Sequence, residues 1–586
     1  MSAFRPTNTA LLVFNKSIQQ EWEAQVLANW QPSHPPTPEQ QAILDYVSPT
    51  GQGFPQSLLL NALAGSGKTN TLFRCLRAIP GAWPTPITSY GRTSCPSIRT
   101  THSLGLATWK EKFPRIEVAS NKLRRLATTL GHFRPTANDP PIATSTIPLV
   151  EKAKTWGFAS EVGKTRFALQ EDTTQAWVDL ADYFSIPVTP QIIEGARALL
   201  AASILQAKTP ADHTLPTRGK GTRIAKGAVL LDFADMLYMP VCCGGIFPRF
   251  DLVVADEVQD FSDIRLEILS RVISPRGRVL AAGDPHQAIY GFTGANSESI
   301  PRLLLHHAAE QLPLTTSFRC SQSVIAQAQK VVPTIQAAPW APVGEALTGE
   351  DLHEPGQPIA ISALPRTILC PLNAPLAILA LAILRASQRV KILGRETFLR
   401  NIRPLVDKAS GGNPDLSITT FVTALKAETQ RRLLKAPKSA HKTKDSSIAV
   451  LALVDGLLTS RGAATTHVSH LLSFIDSLWE PETDTTSSEC HQPPSAQQST
   501  FLLSTIHKSK GLEWEKVGIL AQGFIGKWAK QRWEQQAALN LLYVGLTRAK
   551  HTIVQHIQLE DIEGVHRIKE LVTLDEPPAD SPTDPE

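Results

Sequence analysis

The sequence predicts an α/β fold with two parallel-sheet domains, and three observations carry that expectation. Short apolar runs alternate with helical stretches, as strands of a parallel sheet buried on both faces do. One of these runs, Ser57 to Leu60, passes through a turn of small residues directly into a helix that opens at Gly67-Lys68-Thr69. After Pro313 the alternation starts again, and 586 residues are too many for one hydrophobic core.

In chain order, Ala10 to Phe14 (ALLVF) reads as a strand and Lys16 to Asn29 as a helix. A Pro-rich joint, Gln31 to Pro38, leads into a helix that starts near Thr37 with Pro38 in its first turn. The stretch SLLLNALAGSGKTNTL, Ser57 to Leu72, follows. Gly81 to Pro96 reads as a loop and Ser97 to Thr101 as a strand. From about Lys110 to Lys226 the pattern is mostly helical, with basic patches at Lys122 to Arg125 and Arg218 to Lys226. The second patch fits a phosphate-contacting loop and an exposed, merely soluble loop equally well. Asp251 to Ala255 (DLVVA) and Arg278 to Ala282 (RVLAA) complete the first set of strands. Strand patterns recur at Thr367 to Cys370, Val390 to Leu393, Phe501 to Ile506 and Val517 to Leu520. Glu480 to Ser499 and the acidic tail after Leu574 have the composition of disordered segments.

These patterns divide the chain. Residues 1–110 and 226–310 form a first sheet domain around a helical insertion, 111–225. Residues 311–400 and 500–570 form a second around a small insertion, 401–499, and 571–586 is a disordered acidic tail.

Composition excludes several classes. With 42% hydrophobic and 19% charged residues this is ordinary globular protein. The net charge is +5; five acids and no base lie between Asp575 and Glu586, so the rest carries +10, compatible with a polyanionic partner. None of the seven cysteines forms a CxxC pair, which argues against a zinc ribbon or a redox motif and fits a reducing cytoplasm. No signal peptide is recognisable. The most apolar stretch, Leu376 to Leu384, is too short to span a bilayer and reads as a buried helix.

The chemistry begins at Ala62-Leu63-Ala64-Gly65-Ser66-Gly67-Lys68-Thr69, a phosphate-loop pattern with Ala62 where the first glycine usually stands. Such a loop turns backbone N–H groups inward around a phosphate at the positive end of a helix dipole. Lys68 adds a full charge toward the β- and γ-phosphates, and Thr69 offers a hydroxyl to Mg²⁺. Asp256-Glu257 end an apolar strand. Asp256 suits Mg²⁺ holding, and Glu257 suits orienting or deprotonating an attacking water.

These residues resemble those of the UvrD/Rep-like superfamily 1 helicases. Asp256-Glu257-Val258-Gln259-Asp260 is similar to that family's DExQD box. Thr37 to Gln40 resembles its Q motif, which implies that Gln40 reads the adenine edge. Thr100 to Gly105 (TTHSLG) resembles the TxH motif that meets single-stranded DNA, through Thr100 and His102. Asp232 to Leu237 resembles the block preceding the DExQD strand. Gly283 to Ala295 resembles motif III, which implies Gln287 as γ-phosphate sensor and Tyr290 and Phe292 as base-facing aromatics. Leu314 to Cys320 resembles motif IV, with Phe318 on adenine and Arg319 on the γ-phosphate. Thr505 to Trp514 resembles motif V, with Glu513 on the ribose and Thr505 and His507 toward DNA. Leu542 to Lys550 resembles motif VI, with Arg548 as a second arginine finger. The resemblance implies two RecA-like domains of the P-loop NTPase fold, each with a mainly helical insertion.

The sequence also departs from the family. Asn70 stands where an arginine is frequent, and motif III ends Phe292-Thr293-Gly294-Ala295 instead of Trp-Arg-Gly-Ala. Pro371 and Ala538 replace a frequent arginine and a frequent acid. An FNK-type motif Ia is missing after the phosphate loop, yet Leu11 to Ile18 (LLVFNKSI) matches it ahead of the Q motif. Either that segment occupies the motif Ia position by a local permutation, or the match is coincidence or a damaged coding region. The short second insertion is unlike that of UvrD itself and closer to F-box DNA helicase and compact phage-type members.

The resemblance implies an ATP- and Mg²⁺-dependent motor moving 3′→5′ on single-stranded DNA and unwinding partial duplexes in repair, recombination or replication, in a bacterial or phage-type cytoplasm. A DNA-stimulated ATPase that strips proteins with little strand separation is the alternative. A non-catalytic nucleic-acid scaffold is disfavoured by the presence of Lys68, Thr69, Asp256, Glu257, Gln287, Arg319 and Arg548.

Overall fold

The computed structural model describes residues 6–565 apart from 14–15, 33, 48–53, 55, 85–86, 90–91, 95–97, 133–141, 185, 212–224, 290–298, 355, 436–439, 462–465, 479–499 and 525–531. The expected disordered stretch at 480–499, the acidic tail and most of the basic patch at 218–226 therefore lie outside the described residues. The chain divides into two units, Met1–Thr316 and Ser317–Glu586.

The first unit is built on β1 (Thr9–Val13), β2 (Leu58–Ala62), β5 (Ile98–Thr100), β8 (Phe250–Ala255), β9 (Ile273–Gly283) and β10 (Glu310–Leu314). They form one sheet in the order β10-β2-β9-β8-β1-β5, with every pairing parallel. The runs TALLV, LLLNA and FDLVVA read as continuous apolar strands because helices cover both faces of the sheet. On one side Leu58 and Leu60 pack with Trp22 of α1 (Lys16–Leu27), Ile43 of α2 (Pro38–Val47) and Phe73 of α3 (Lys68–Ala78). On the other, Leu12, Leu59 and Val253 meet α4 (Thr101–Lys110) and the helices that follow it.

The helical insertion holds α5 (Lys122–Thr129), α6 (Ala143–Trp156), α7 (Thr174–Tyr183) and α8 (Pro190–Lys208), as the sequence pattern indicates. Two local expectations are corrected. Within the expected loop Gly81 to Pro96, β3 (Ile87–Ser89) and β4 (Arg92–Ser94) pair as an antiparallel hairpin; three-residue strands are too short to show alternation above the surrounding prolines. Within the expected helical region, β6 (Ile116–Val118) pairs in parallel with β7 (Val229–Leu231) more than a hundred positions away, a contact no local pattern encodes.

The insertion is joined to α9 (Asp235–Cys242) by buried charges. Lys122 Nζ lies 2.6 Å from Asp235, and Lys154 Nζ lies 2.5 Å from Asp232 and 2.6 Å from Asp235. Both lysines also donate to Ser203, at 2.7 and 2.8 Å. Two cations against two anions with every bond short is the condition under which buried charge is tolerated.

The second unit repeats the layout. After the short strands β11 (Thr316–Ser317) and β12 (Gln336–Ala337) come β13 (Glu345–Thr348), β14 (Thr367–Cys370), β15 (Arg389–Ile392), β16 (Thr500–Thr505), β17 (Trp514–Leu520) and β18 (Ala549–Ile557). The last six form a sheet in the order β13-β18-β17-β14-β16-β15, again wholly parallel. The apolar stretch Leu376 to Leu384 lies in the buried helix α13 (Asn373–Arg385). Three further helices, α14 (Arg395–Ser410), α15 (Ile418–Lys435) and α16 (Ala440–Arg461), pack onto that core through Leu405, Phe421 and Leu453. Among the described residues no helix is long and apolar enough to cross a membrane.

The N-terminal strand is an interior strand of the first sheet. Leu11 pairs with Val254 of β8 on one side and Ile98 of β5 on the other and has 0% exposure. Leu11→Ala should therefore destabilise this unit by about 2–5 kcal/mol. Urea unfolding checks this; an unchanged midpoint would show that β1 is dispensable to the sheet.

Candidate nucleotide site and strand-contact surface

In a wholly parallel sheet the loops that follow the strands gather along one edge, where α/β proteins bind ligands. Along that edge of the first unit, β2 opens into the phosphate loop, β9 into Gly283-Asp284, and β8 into Asp256-Glu257. Beyond β1, β5 opens into Thr100 and His102.

The loop from Ala62 to Gly67 is shaped by two left-handed residues, Gly65 at φ +73° and Gly67 at φ +74°, where a Cβ would add strain. Leu63 N–H donates to the Leu314 carbonyl at 2.9 Å, and Ser66 N–H to that of Leu63 at 3.1 Å, closing the turn. Gly67 caps α3, so the N–H groups of that helix's first turn have no intrahelical acceptors. The Ser66 hydroxyl is buried and meets no hydrogen-bond partner among the described residues. An orphan donor beside free helix N–H groups fits the oxygens of a phosphate.

Lys68 sits among carboxylates. Its Nζ lies 2.6 Å from Glu257 Oε1. Burial disfavours its charge, but Glu257, Asp256 and Asp284 outweigh burial and raise its pKa. Thr69 Oγ1 donates to Asp256 Oδ2 at 3.3 Å. Burial, and then the neighbouring Glu257 charge, push Asp256 up to about 7. Glu257 itself holds a left-handed backbone, φ +55°, an uncommon conformation for a residue with a Cβ and one that collects at functional sites. Gln259 donates to Glu257. Its side-chain carbonyl accepts the Asp284 N–H at 3.1 Å, and Gln287 donates to Asp284 at 2.7 Å.

Lys68, Thr69, Asp256, Glu257 and Gln287 are thus gathered in one network. Sequence reasoning missed two of its members, Gln259 and Asp284. The run GDPHQ after an apolar strand held the signal for the second, since a residue leaving β9 must face the same edge.

Gln40 is 4% exposed. Its carbonyl accepts the Thr37 N–H at 3.1 Å, while its own N–H donates to Thr37 Oγ1 at 3.2 Å, a reciprocal helix cap. Its amide also donates to Thr71 at 3.0 Å, fastening α2 to the phosphate-loop helix. Asn70, the departure after Thr69, accepts from Arg74 at 2.7 Å.

Two strands from β8, about 10 Å across the edge, Thr100 caps α4 by accepting the Ser103 N–H at 3.1 Å. His102 stacks on Phe233 with centroids 3.9 Å apart and planes at 24°. Burial, and then Arg265, push His102 down to about 3, so the ring is neutral at physiological pH. Phe233 is 61% exposed and was not singled out from sequence. It lies between Asp232 and Asp235, whose side chains accept one another's N–H groups at 2.8 and 2.9 Å, so the buried lysine–aspartate cluster fixes it. Tyr290 and Phe292 lie outside the described residues.

In the second unit, Arg319 Nε lies 2.5 Å and Lys550 Nζ 3.0 Å from Glu513. Burial raises the Glu513 pKa, but the two cations outweigh it and the net direction is down. Arg548 is 1% exposed and donates to the carbonyls of Val544 at 3.0 Å and Leu512 at 3.1 Å, and to Thr547 Oγ1 at 3.3 Å. Burial, and then Arg319, lower its pKa to about 10. Its guanidinium is thus turned onto its own unit's backbone. Phe318 is partly exposed. Thr505 ends β16 and caps the short helix Ile506–Ser509, which carries His507.

A phosphate-loop pattern, an acid-tipped strand and the loop at Gly283-Asp284 thus meet on one edge of a parallel sheet. Residues 225–306 match the UvrD/REP helicase N-terminal domain and residues 500–554 the UvrD-like helicase C-terminal domain. Two segments of the chain thus match, in order, the N- and C-terminal domain models of the UvrD-like helicases. It is 25% identical over 338 residues to F-box DNA helicase protein 1 of Schizosaccharomyces pombe, covering 53% of this chain and 34% of that one. ATP-dependent DNA helicase UvrD2 of Mycobacterium tuberculosis is 25% identical over 378 residues, 55% of this chain and 51% of its own. DNA helicase II of Escherichia coli is 29% identical over 114 residues, 18% and 16% of the two chains. The chain thus spans about half or less of the length of the curated relatives it matches.

The raised Asp256 pKa predicts a pH signature. A carboxyl whose folded pKa exceeds its unfolded value of 3.8 binds extra protons in the folded state, so it costs stability as pH rises from about 4 to about 7. Asp256→Asn should therefore raise the melting temperature at pH 8 and lose that advantage below pH 4. Thermal unfolding of the nucleotide-free protein at both values checks this; a pH-independent effect would contradict it.

Proposed function

We propose that the chain is an ATP-dependent DNA motor that moves 3′→5′ on single-stranded DNA and separates partial duplexes. The observation that carries the reading is the Lys68–Glu257–Asp256–Thr69 network at the sheet edge, in a chain matching both UvrD-like domains. On this reading the phosphates of ATP enter the loop from Ala62 to Thr69, and Lys68 exchanges Glu257 for the β- and γ-phosphates. Glu257 then becomes free to accept a proton from the attacking water, held in place by Gln259. Gln287 would sense the γ-phosphate through Asp284. Thr69 and Asp256 would hold Mg²⁺, whose charge neutralises the phosphates and offsets the local excess of acids. Glu513 would turn to the ribose and release Arg319 toward the γ-phosphate, with Arg548 following only once it leaves its carbonyls. Gln40 would read the adenine edge, and Phe318 would stack on the base.

In the first unit the strand-contact surface is the neutral stack His102–Phe233 with Thr100; Tyr290, Phe292, Thr505 and His507 are assigned DNA contacts from the sequence resemblance alone. An exposed ring held rigidly suits stacking on unpaired bases without regard to sequence. The interior position of β1 supports the permutation reading, in which Leu11 to Ile18 stands in for motif Ia beside the strand that leads to His102. A role in repair, recombination or replication and a cytoplasmic setting complete the proposal.

Lys68→Ala should reduce DNA-stimulated ATP hydrolysis by at least about 10²-fold; an unchanged rate overturns the catalytic assignment. Partial duplexes with either a 3′ or a 5′ single-stranded tail test direction: strand release from the 3′-tailed substrate alone is expected. ATP hydrolysis without strand release from either would favour a translocase that strips proteins. Phe233→Ala should weaken single-stranded DNA binding about 5- to 100-fold, as loss of one stacked base would; unaltered binding in a fluorescence anisotropy titration removes Phe233 from the surface.

A further inference from the structure

We propose that Trp340 is a positioning residue for the nucleotide base, its indole backing one face of Phe318 so that adenine takes the other. The inference rests on the reading of Phe318 as the base platform and adds a residue to it. The two rings have centroids 6.0 Å apart and planes at 24°, inside the offset-stacking range. Trp340 is 70% exposed and Phe318 39% exposed.

Its setting is rigid. Ala338 N–H donates to the Ser317 carbonyl at 3.0 Å, tying the segment before Trp340 to the residue before Phe318. Ala341 N–H closes a turn onto the Ala338 carbonyl at 2.8 Å, with Trp340 inside it. Gln322, in the first turn of α12 (Gln322–Ala328), holds the other flank. Its N–H donates to the Pro342 carbonyl at 2.9 Å and its side-chain amide to the Ala341 carbonyl at 2.8 Å. The backbone that bears the indole is therefore fixed from both sides to the segment that carries Phe318 and Arg319.

The spacing decides between two arrangements. A base sandwiched between the rings needs about 6.8 Å, twice the ~3.4 Å rise of stacked bases. A centroid distance of 6.0 Å leaves too little room, so Trp340 supports Phe318 and does not share the base with it. The partial exposure of Phe318 leaves its remaining surface for the base. Arg319, the next residue, holds Glu513, so base, ribose and phosphate contacts run in sequence along this unit. Trp340 restricts the Phe318 ring to the stacking orientation before ATP arrives, which saves the cost of ordering it on binding.

The test measures ATP hydrolysis by the full chain at saturating single-stranded DNA in Trp340→Ala, Trp340→Phe and Phe318→Ala. It also measures competitive inhibition by inorganic tripolyphosphate, which has no base. Trp340→Ala should raise the KM for ATP about three- to tenfold with kcat retained. Trp340→Phe should restore KM to within about twofold of the native value, and the tripolyphosphate inhibition constant should stay put. If Phe318→Ala raises KM and Trp340→Ala does not, Trp340 has no part in base binding. A tripolyphosphate constant that shifts as much as KM also overturns the proposal, because the effect is then general to the fold. If Phe318→Ala leaves KM unchanged, the base-platform reading itself falls.

Discussion

One cation among acids organises the first unit. Lys68 enters from the first position of α3 and meets Glu257 at 2.6 Å, with Asp256 and Asp284 close enough to raise its pKa against the pull of burial. Three carboxylates around one ammonium leave an excess of negative charge, and burial drives both Asp256 and Asp284 toward their neutral forms. The acids come from β8 and β9, neighbouring strands, and the lysine from the loop after β2, next in the sheet. Only a parallel sheet brings the ends of all three strands to the same edge, so the charge cluster and the topology depend on each other.

The same edge continues past β1 to His102 and Phe233, and this makes the N-terminal strand more than a decoration. β1 pairs with the acid-tipped β8 on one side and with β5, which leads to His102, on the other. The buried charges of Lys122, Lys154, Asp232 and Asp235 anchor Phe233 from behind. On the proposed function, nucleotide chemistry and strand contact are mounted on one sheet, with the interior strand β1 between β8 and β5.

Much of this was legible in the sequence because it is local. The apolar runs LLL, DLVVA and RVLAA, the Gly-Ser-Gly-Lys-Thr turn and the paired acids each declare a strand end or a helix start within a few residues. The Thr37–Gln40 cap is equally local. What the sequence concealed is non-local or conformational. The pairing of Ile116–Val118 with Val229–Leu231 joins segments with a hundred residues between them. The hairpin within Gly81 to Pro96 is too short for its pattern to rise above its prolines. Phe233 reads as one more apolar residue until its exposure and the stack with His102 are seen. Arg548 sits where a motif puts it, yet its guanidinium turns to the backbone carbonyls of Val544 and Leu512, a matter of rotamer on which the sequence is silent. The interior place of β1 is likewise a matter of its register with Val254 and Ile98, which no local pattern states.

The proposed function requires that nucleotide chemistry at the Lys68 cluster answer to a DNA strand bound beyond the end of β5, two strands past β8 in the same sheet. Steady-state ATP hydrolysis by the full native chain, at saturating ATP and Mg²⁺, with and without single-stranded DNA, tests it most directly. The account predicts a slow basal rate and a rise of at least about tenfold on adding the strand. A rate indifferent to the strand, although the strand binds, would contradict it.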